Sequence, residues 1–235
     1  MLRTKVNWKK TMTGLSALLL LMLILFFLLI YPRDLTLAQQ LPKTLSLQYK
    51  QHKVHYENIH NINKYIQEAA ISSQDKRFYT NQGIDVISTM RALLMTIVTG
   101  KRQGASTIPE QLVKNAYYHD KDTLITDIET KILAPFVIAR YSKASILEMY
   151  LNDIYYGKNA YGIFNASNIY FHTTPKNVSL AQSAYLLGLI NAPSYFGDHQ
   201  KSAIEEAILV LGEMKRDHYI SNSQMTAAET TLKKM

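Results

Sequence analysis

The chain has 235 residues and no cysteine, which excludes a disulfide framework, a thiolate metal site and cysteine nucleophilic catalysis. Its formal net charge is +8, and Arg3, Lys5, Lys9 and Lys10, ahead of any acid, carry half of it. The other half is spread along the chain without a dense basic stripe interleaved with aromatics, so nucleic acid is not an expected partner.

From Thr11 to Tyr31 there is no charged side chain, and Leu15 to Ile30 is almost wholly Leu, Ile, Met and Phe. Crossing the hydrocarbon layer takes about 20 such residues, so a transmembrane helix is predicted over 11–32. A cleaved signal peptide is the competing reading. It fits less well, because the run is long for one and Tyr31-Pro32-Arg33 lacks the small residues of a cleavage site. With the cations before the span, residues 1–10 read as a cytoplasmic tail and everything after about Arg33 as extracellular.

Residues 33–63 read as a polar connector, rich in Gln, His, Asn and Lys, in which Thr44-Leu45-Ser46-Leu47 alternates like a short strand. A domain over 64–235 follows, and its patterning is helical. Ile66, Ala69, Ala70 and Ser73 share one helical face, and Ile84 to Val98 keeps three- and four-residue apolar steps. Gly100 to Ser106 breaks the pattern. Helices are then predicted over Ile108–Tyr118, Ile125–Ala139, Ser142–Tyr156, Leu180–Ile190 and about Ser202–His218, with a turn at His119-Asp120-Lys121-Asp122. The fold class expected is mainly α, a compact irregular bundle with short connections.

Four strings carry a family signal. The first is Gln74-Asp75-Lys76-Arg77-Phe78-Tyr79-Thr80-Asn81-Gln82-Gly83, and the second runs from Gly104-Ala105-Ser106-Thr107 to Gln111-Leu112-Val113-Lys114-Asn115. The third runs from Arg140-Tyr141-Ser142-Lys143 through Leu147-Glu148-Met149-Tyr150-Leu151-Asn152 to Tyr161-Gly162. A weaker fourth joins Leu187-Gly188-Leu189 to Ala192-Pro193-Ser194-Tyr195. In this order they resemble the glycosyltransferase domain of monofunctional transglycosylases and bifunctional penicillin-binding proteins. The resemblance implies a lysozyme-like, two-lobed helical domain whose smaller lobe hugs the membrane. Leu93 to Val98 would supply that contact, or would otherwise be ordinary helix core.

The resemblance also implies a reaction in which lipid-linked disaccharides are joined with inversion, one carboxylate acting as base and cations meeting the leaving pyrophosphate. The family pattern of the first string is E-D-x-x-F-x-x-H-x-G. Here Gln74 stands at the catalytic glutamate and Asn81 at the histidine, while Asp75, Arg77, Phe78 and Gly83 fit the string. A carboxamide cannot take up a proton near neutral pH. Counting back from Arg140 sets the family's R-K-x-x-E at Thr126-Asp127-Ile128-Glu129-Thr130, so Thr130 replaces the second glutamate and the basic pair is gone. Ser106, Thr107, Gln111, Lys114 and Asn115 match the donor-side string, where Lys114 would meet pyrophosphate as a point charge. Pro109 and Glu110 depart from it and suit the first turn of a helix.

Three carboxylates are candidate substitutes for the missing acids. Asp75 is the neighbour of Gln74, Glu110 is either a helix-start acid or a relocated catalytic one, and Glu129 is rotated by roughly 100° from Thr130 on a helix. No His pair with a carboxylate stands at ligand spacing, so no metal and no cofactor is expected, although a divalent cation at the pyrophosphate is chemically compatible. The sixteen tyrosines read as core packing rather than a sugar platform.

Three functions compete: a working transglycosylase with a substitute carboxylate, a degenerate relative that binds precursor, glycan or a cell-wall synthesis protein without turnover, and a purely structural membrane protein. Joint loss of both acids, the histidine and the basic pair favours the second, because function resides in the site rather than in the fold. The kept Ser106, Thr107, Gln111 and Lys114 argue against the third.

Overall fold

The computed structural model describes residues 8–100, 104–118 and 123–235. The expected turn at 119–122 and the tail residues Arg3 and Lys5 lie outside the described residues. Among the described residues, twelve α-helices run in order: α1 (Trp8–Leu25), α2 (Tyr31–Gln51), α3 (Lys64–Gln74), α4 (Val86–Thr99), α5 (Ile108–Tyr118), α6 (Leu124–Arg140), α7 (Lys143–Asp153), α8 (Ile163–Phe171), α9 (Leu180–Leu189), α10 (Pro193–Phe196), α11 (Gln200–Arg216) and α12 (Asn222–Leu232). Among the described residues the extended pairing is a single antiparallel bridge between Tyr155 and Tyr161. The fold is mainly α, as the patterning predicted.

The apolar run forms α1 and a π-helical turn, Phe26–Ile30, that leads straight into α2. This rod is long and apolar enough to cross a membrane, with a mean hydropathy of 2.8 in its most apolar part. The side chains of Leu18 to Leu21 and of Leu28 and Leu29 are exposed.

The reading of 33–63 as a polar connector needs correction. Residues 31–51 are helical, Thr44-Leu45-Ser46-Leu47 included, and Ala38, Leu41 and Leu45 are core residues at 0–1% exposure. Their spacing of three and four is a helical stripe that the surrounding Gln and Lys residues obscured. Pro42 lies inside this helix and has no N–H to give Ala38; the Tyr141 hydroxyl donates to the Ala38 carbonyl instead, at 3.0 Å. The Tyr117 hydroxyl also donates to the Leu37 carbonyl, at 2.6 Å.

Helix α9 is the hydrophobic centre, buried from Ser183 to Leu189 and packed against α3, α11 and α12. Gly188 lets α11 approach: a β-carbon there would lie 3.1 Å from the Ala207 nitrogen. Of the large tyrosines, Tyr150 and Tyr156 are fully buried, and no tyrosine lines the main cleft described below.

Helix bounds shift where a cap or a bridge intervenes. Ser142 caps α7 by accepting from the Ser145 N–H, and the helix stops at Asp153 because the chain turns extended to make the Tyr155 bridge. Helices α8, α10 and α12 carry no expectation from the patterning. Helix α4 differs most from a core helix: Ala92 is its one buried residue, while Val86, Ile87, Met90, Leu93, Leu94, Ile97 and Val98 are exposed.

Candidate functional site

The end of α3 and the start of α5 meet at one carboxylate. Gln74 is the last residue of α3 and Asp75 its C-cap, with an N–H that donates to the Ile71 carbonyl. The Asp75 carboxylate accepts from the Asn81 side chain at 2.8 Å and from the Ile108 N–H at 3.1 Å. Ile108 opens α5, so its N–H is one of the donors a helix start leaves unpaired, and Asp75 satisfies it from across the chain. Burial pushes the Asp75 carboxyl above the usual range, against these hydrogen bonds and the nearby Lys143 ammonium.

Asn81 serves two partners, donating to Asp75 while its oxygen accepts from the Gly83 N–H at 3.1 Å. Gly83 itself has φ +97°, and a β-carbon there would come within 2.8 Å of the Ala134 carbonyl carbon and the Pro135 nitrogen, so only glycine fits. Its carbonyl accepts from the Thr107 hydroxyl at 2.7 Å. Lys143 donates to the Asn81 carbonyl at 2.8 Å and lies 4.8 Å from the ring centroid of Phe78, which is fully buried. Phe78 and Gly83 therefore brace the loop and do not line the cleft.

A polar cleft of about 710 Å³ lies over this junction. Gln74, Asp75, Ser106, Thr107, Gln111 and Lys114 line it. Gln111 orients Gln74, donating to its carboxamide oxygen at 3.3 Å, and in turn accepts from the Tyr150 hydroxyl at 3.0 Å. The cleft also takes in residues that no sequence signal marked: Arg91 on α4, Asn191 after α9, and Glu213 and Arg216 on α11. Packing of α11 and α9 against α3 brings Asn191, Glu213 and Arg216 over Gln74, and Arg91 comes from α4.

The remaining expected residues lie elsewhere. Arg77 grips Asp85 through two nitrogens, Nη2 at 2.7 Å from Oδ2 and Nε at 3.0 Å from Oδ1, and reaches Ser88 at 2.8 Å. Burial works against the Asp85 charge, but hydrogen bonds from Arg77 and Ser88 outweigh it and hold the carboxyl below the ordinary range. Glu110 is 1% exposed, outside the cleft lining, and paired with Lys131 on α6 at 2.6 Å; burial raises its pKa, with Lys131 opposing. Glu129 faces the membrane-proximal end of α2 and pairs with Arg33 at 3.1 Å. Asn115 gives its carbonyl to the Gln48 side chain at 3.1 Å.

The α6 substitutions have local structural reasons. Thr123 and Thr126 form a reciprocal capping box that starts the helix. Thr130 is 3% exposed and its hydroxyl donates to the Asp127 carbonyl at 3.0 Å. Asp127 sits in the first turn, where the helix dipole favours an acid, with its carboxylate 3.7 Å from the Lys114 ammonium.

An all-helical domain on an apolar helix, with a polar cleft built from the first two strings, defines a class that the comparisons make specific. A sequence model described as transglycosylase matches residues 38–215. The monofunctional glycosyltransferase of Staphylococcus epidermidis is 39% identical over 181 residues, covering 73% of this chain and 67% of that protein. Its namesake from Staphylococcus haemolyticus is 39% identical over 194 residues, covering 77% and 71%. The one from Staphylococcus aureus is 35% identical over 181 residues, covering 73% and 67%. The chain belongs to the transglycosylase family.

Proposed function

We propose that this protein is a membrane-anchored member of the family that binds the lipid-linked disaccharide precursor or the glycan strand in cell-wall synthesis, with weak or no turnover. The supporting observation is the state of the acids around Gln74. The carboxamide at the base position is held by Gln111, and its nitrogen faces the Ser73 hydroxyl at 3.3 Å. Of the three candidate substitutes, Glu129 and Glu110 lie outside the cleft lining. Asp75 lines it, but one of its oxygens accepts from Asn81 in the loop after α3 and the other from the Ile108 N–H at the start of α5. A carboxamide at position 74 cannot supply the proton transfer that a carboxylate base would, a contribution of about 10²–10⁴-fold to the rate. The domain is read as extracellular, with cell-wall synthesis proteins as candidate partners.

One observation favours the alternative, an active transglycosylase. Glu213 lines the cleft half-buried, and burial lifts its carboxyl above the ordinary range against the pull of Arg216, 3.5 Å away. A raised carboxyl in a cleft is the form a general base takes.

Polymerisation of lipid-linked disaccharide by the purified full chain decides between the two. Little or no product is expected from the unchanged protein and little more from Gln74→Glu. Gln74→Glu with Thr130→Glu should exceed the sum of the single changes, provided that thermal melts show all variants folded. Robust synthesis by the unchanged protein that Glu213→Gln or Asp75→Asn abolishes would overturn the proposal and identify the base.

A further inference from the structure

We infer that Asp127 is a specificity-determining residue that turns the cleft away from pyrophosphate-bearing ligands and toward lipid-free glycan. The inference rests on the binding reading above and decides between its two ligands.

An ammonium that is to receive a phosphate should face it without a fixed anion in competition. Lys114 lines the cleft from α5, and the Asp127 carboxylate on the facing α6 lies 3.7 Å from its Nζ. Both side chains are about a quarter exposed, so water screens the pair only in part. The same arrangement recurs at the neighbouring cations. Lys131 is taken by Glu110 and Arg77 by Asp85. Among the described residues, the lining holds Lys76, Arg91, Lys114 and Arg216 with Asp75, Asp85 and Glu213; Arg77 engages Asp85, and Asp127 brings an acid onto Lys114 from outside the lining. At Lys114, the charge offered to a pyrophosphate is therefore offset by Asp127.

A sugar chain asks for different chemistry. It needs carboxamides, hydroxyls and charge-paired groups that can each donate or accept. Gln74, Gln111, Ser106, Ser73 and Asn191 provide them around the same volume. Asp127 has a local use as an acid in the first turn of α6, so stability alone does not separate the roles. The ratio of two affinities does, because a purely structural acid would not move it.

The test uses the full chain in detergent micelles and two probes, a sugar-free polyprenyl pyrophosphate and a lipid-free tetrasaccharide of the glycan strand. The unchanged protein should bind the tetrasaccharide more tightly. Asp127→Asn, and independently Asp127→Ser, should shift the affinity ratio toward the pyrophosphate by about tenfold, since a partly screened opposing charge is removed. Adding Lys114→Met should cancel the shift, and raised salt should shrink it. A tetrasaccharide affinity with no shift in either Asp127 variant, or a shift that survives Lys114→Met, overturns the inference and leaves the binding reading standing. Binding of neither probe by any variant overturns both.

Discussion

At the residue scale, retained and substituted positions divide by what they touch. Asp75 fits the first string, and its contacts explain why: its two oxygens join the end of α3, through Asn81 and the loop, to the first N–H of α5. Asn81, at the family histidine, supplies a donor to Asp75 and an acceptor to Gly83. A residue so placed has a pH signature. The folded pKa of Asp75 is raised, so the folded state binds its proton before the unfolded state does. Its contribution to stability therefore becomes more favourable as pH falls through that raised value, and is complete below the unfolded one. Asp85, whose carboxyl is lowered, has the opposite sign and loses its stabilisation as pH falls through its folded value. Asp75→Asn should cost about 1–3 kcal/mol near neutral pH, because the new NH₂ faces a donor. Melting curves between pH 7 and 4 should show the unchanged protein gaining on Asp75→Asn as pH falls. A gap independent of pH would mean that Asp75 titrates alike in both states.

At the element scale, the two helices whose surroundings sequence patterning described least well are α2 and α4. Helix α2 belongs to the core although its composition is polar, and a proline inside it is tolerated because Tyr141 takes over the freed carbonyl. Helix α4 is the reverse. It has the apolar periodicity of a core helix and almost no partner, and so large an exposed apolar face marks a contact with something apolar. Exposed Leu124, Ile125 and Ile128 at the start of α6 extend the face. Tyr31, at the end of the apolar span, touches Phe136 on α6 with ring centroids 5.5 Å apart, which sets this side of the domain beside that end of the span. The natural chain has no cysteine, so a single introduced one takes a spin label uniquely. Labelled Ile97→Cys in lipid nanodiscs should relax faster with oxygen than with an aqueous nickel chelate. Labelled Thr226→Cys on α12 should do the opposite. Nickel-dominated relaxation at position 97 would put α4 in water.

At the scale of the whole molecule, one rod joins the apolar span to the core. Helix α1, the π turn and α2 continue one another, and Arg33 pairs with Glu129 while Leu41 and Leu45 enter the core. The anchor is thus tied to the domain rather than tethered by a flexible link. Because the cations Lys9 and Lys10 precede the span, an alkaline phosphatase fused after Met235 should be active, that is, exported. A fusion inactive as phosphatase, together with a fluorescent cytoplasmic reporter at the same point, would reverse the orientation.

The sequence by itself determined the apolar helix, the mainly α class and the transglycosylase relationship. These depend on local periodicity and on contiguous strings, which survive being read one residue after another. Three matters waited for the tertiary structure. Burial of α2 depended on what packs over it, because three apolar positions among polar ones carry a weak pattern until α6 and α5 cover them. The fate of the candidate carboxylates depended on partners distant in the chain, Lys131 for Glu110, Arg33 for Glu129 and Ile108 for Asp75. Asn191, Glu213 and Arg216 joined the cleft only when α9 and α11 packed against α3, and Arg91 reaches it from α4. Charge pairing and burial fall off within a few ångströms in space, and separation along the chain says nothing about that distance.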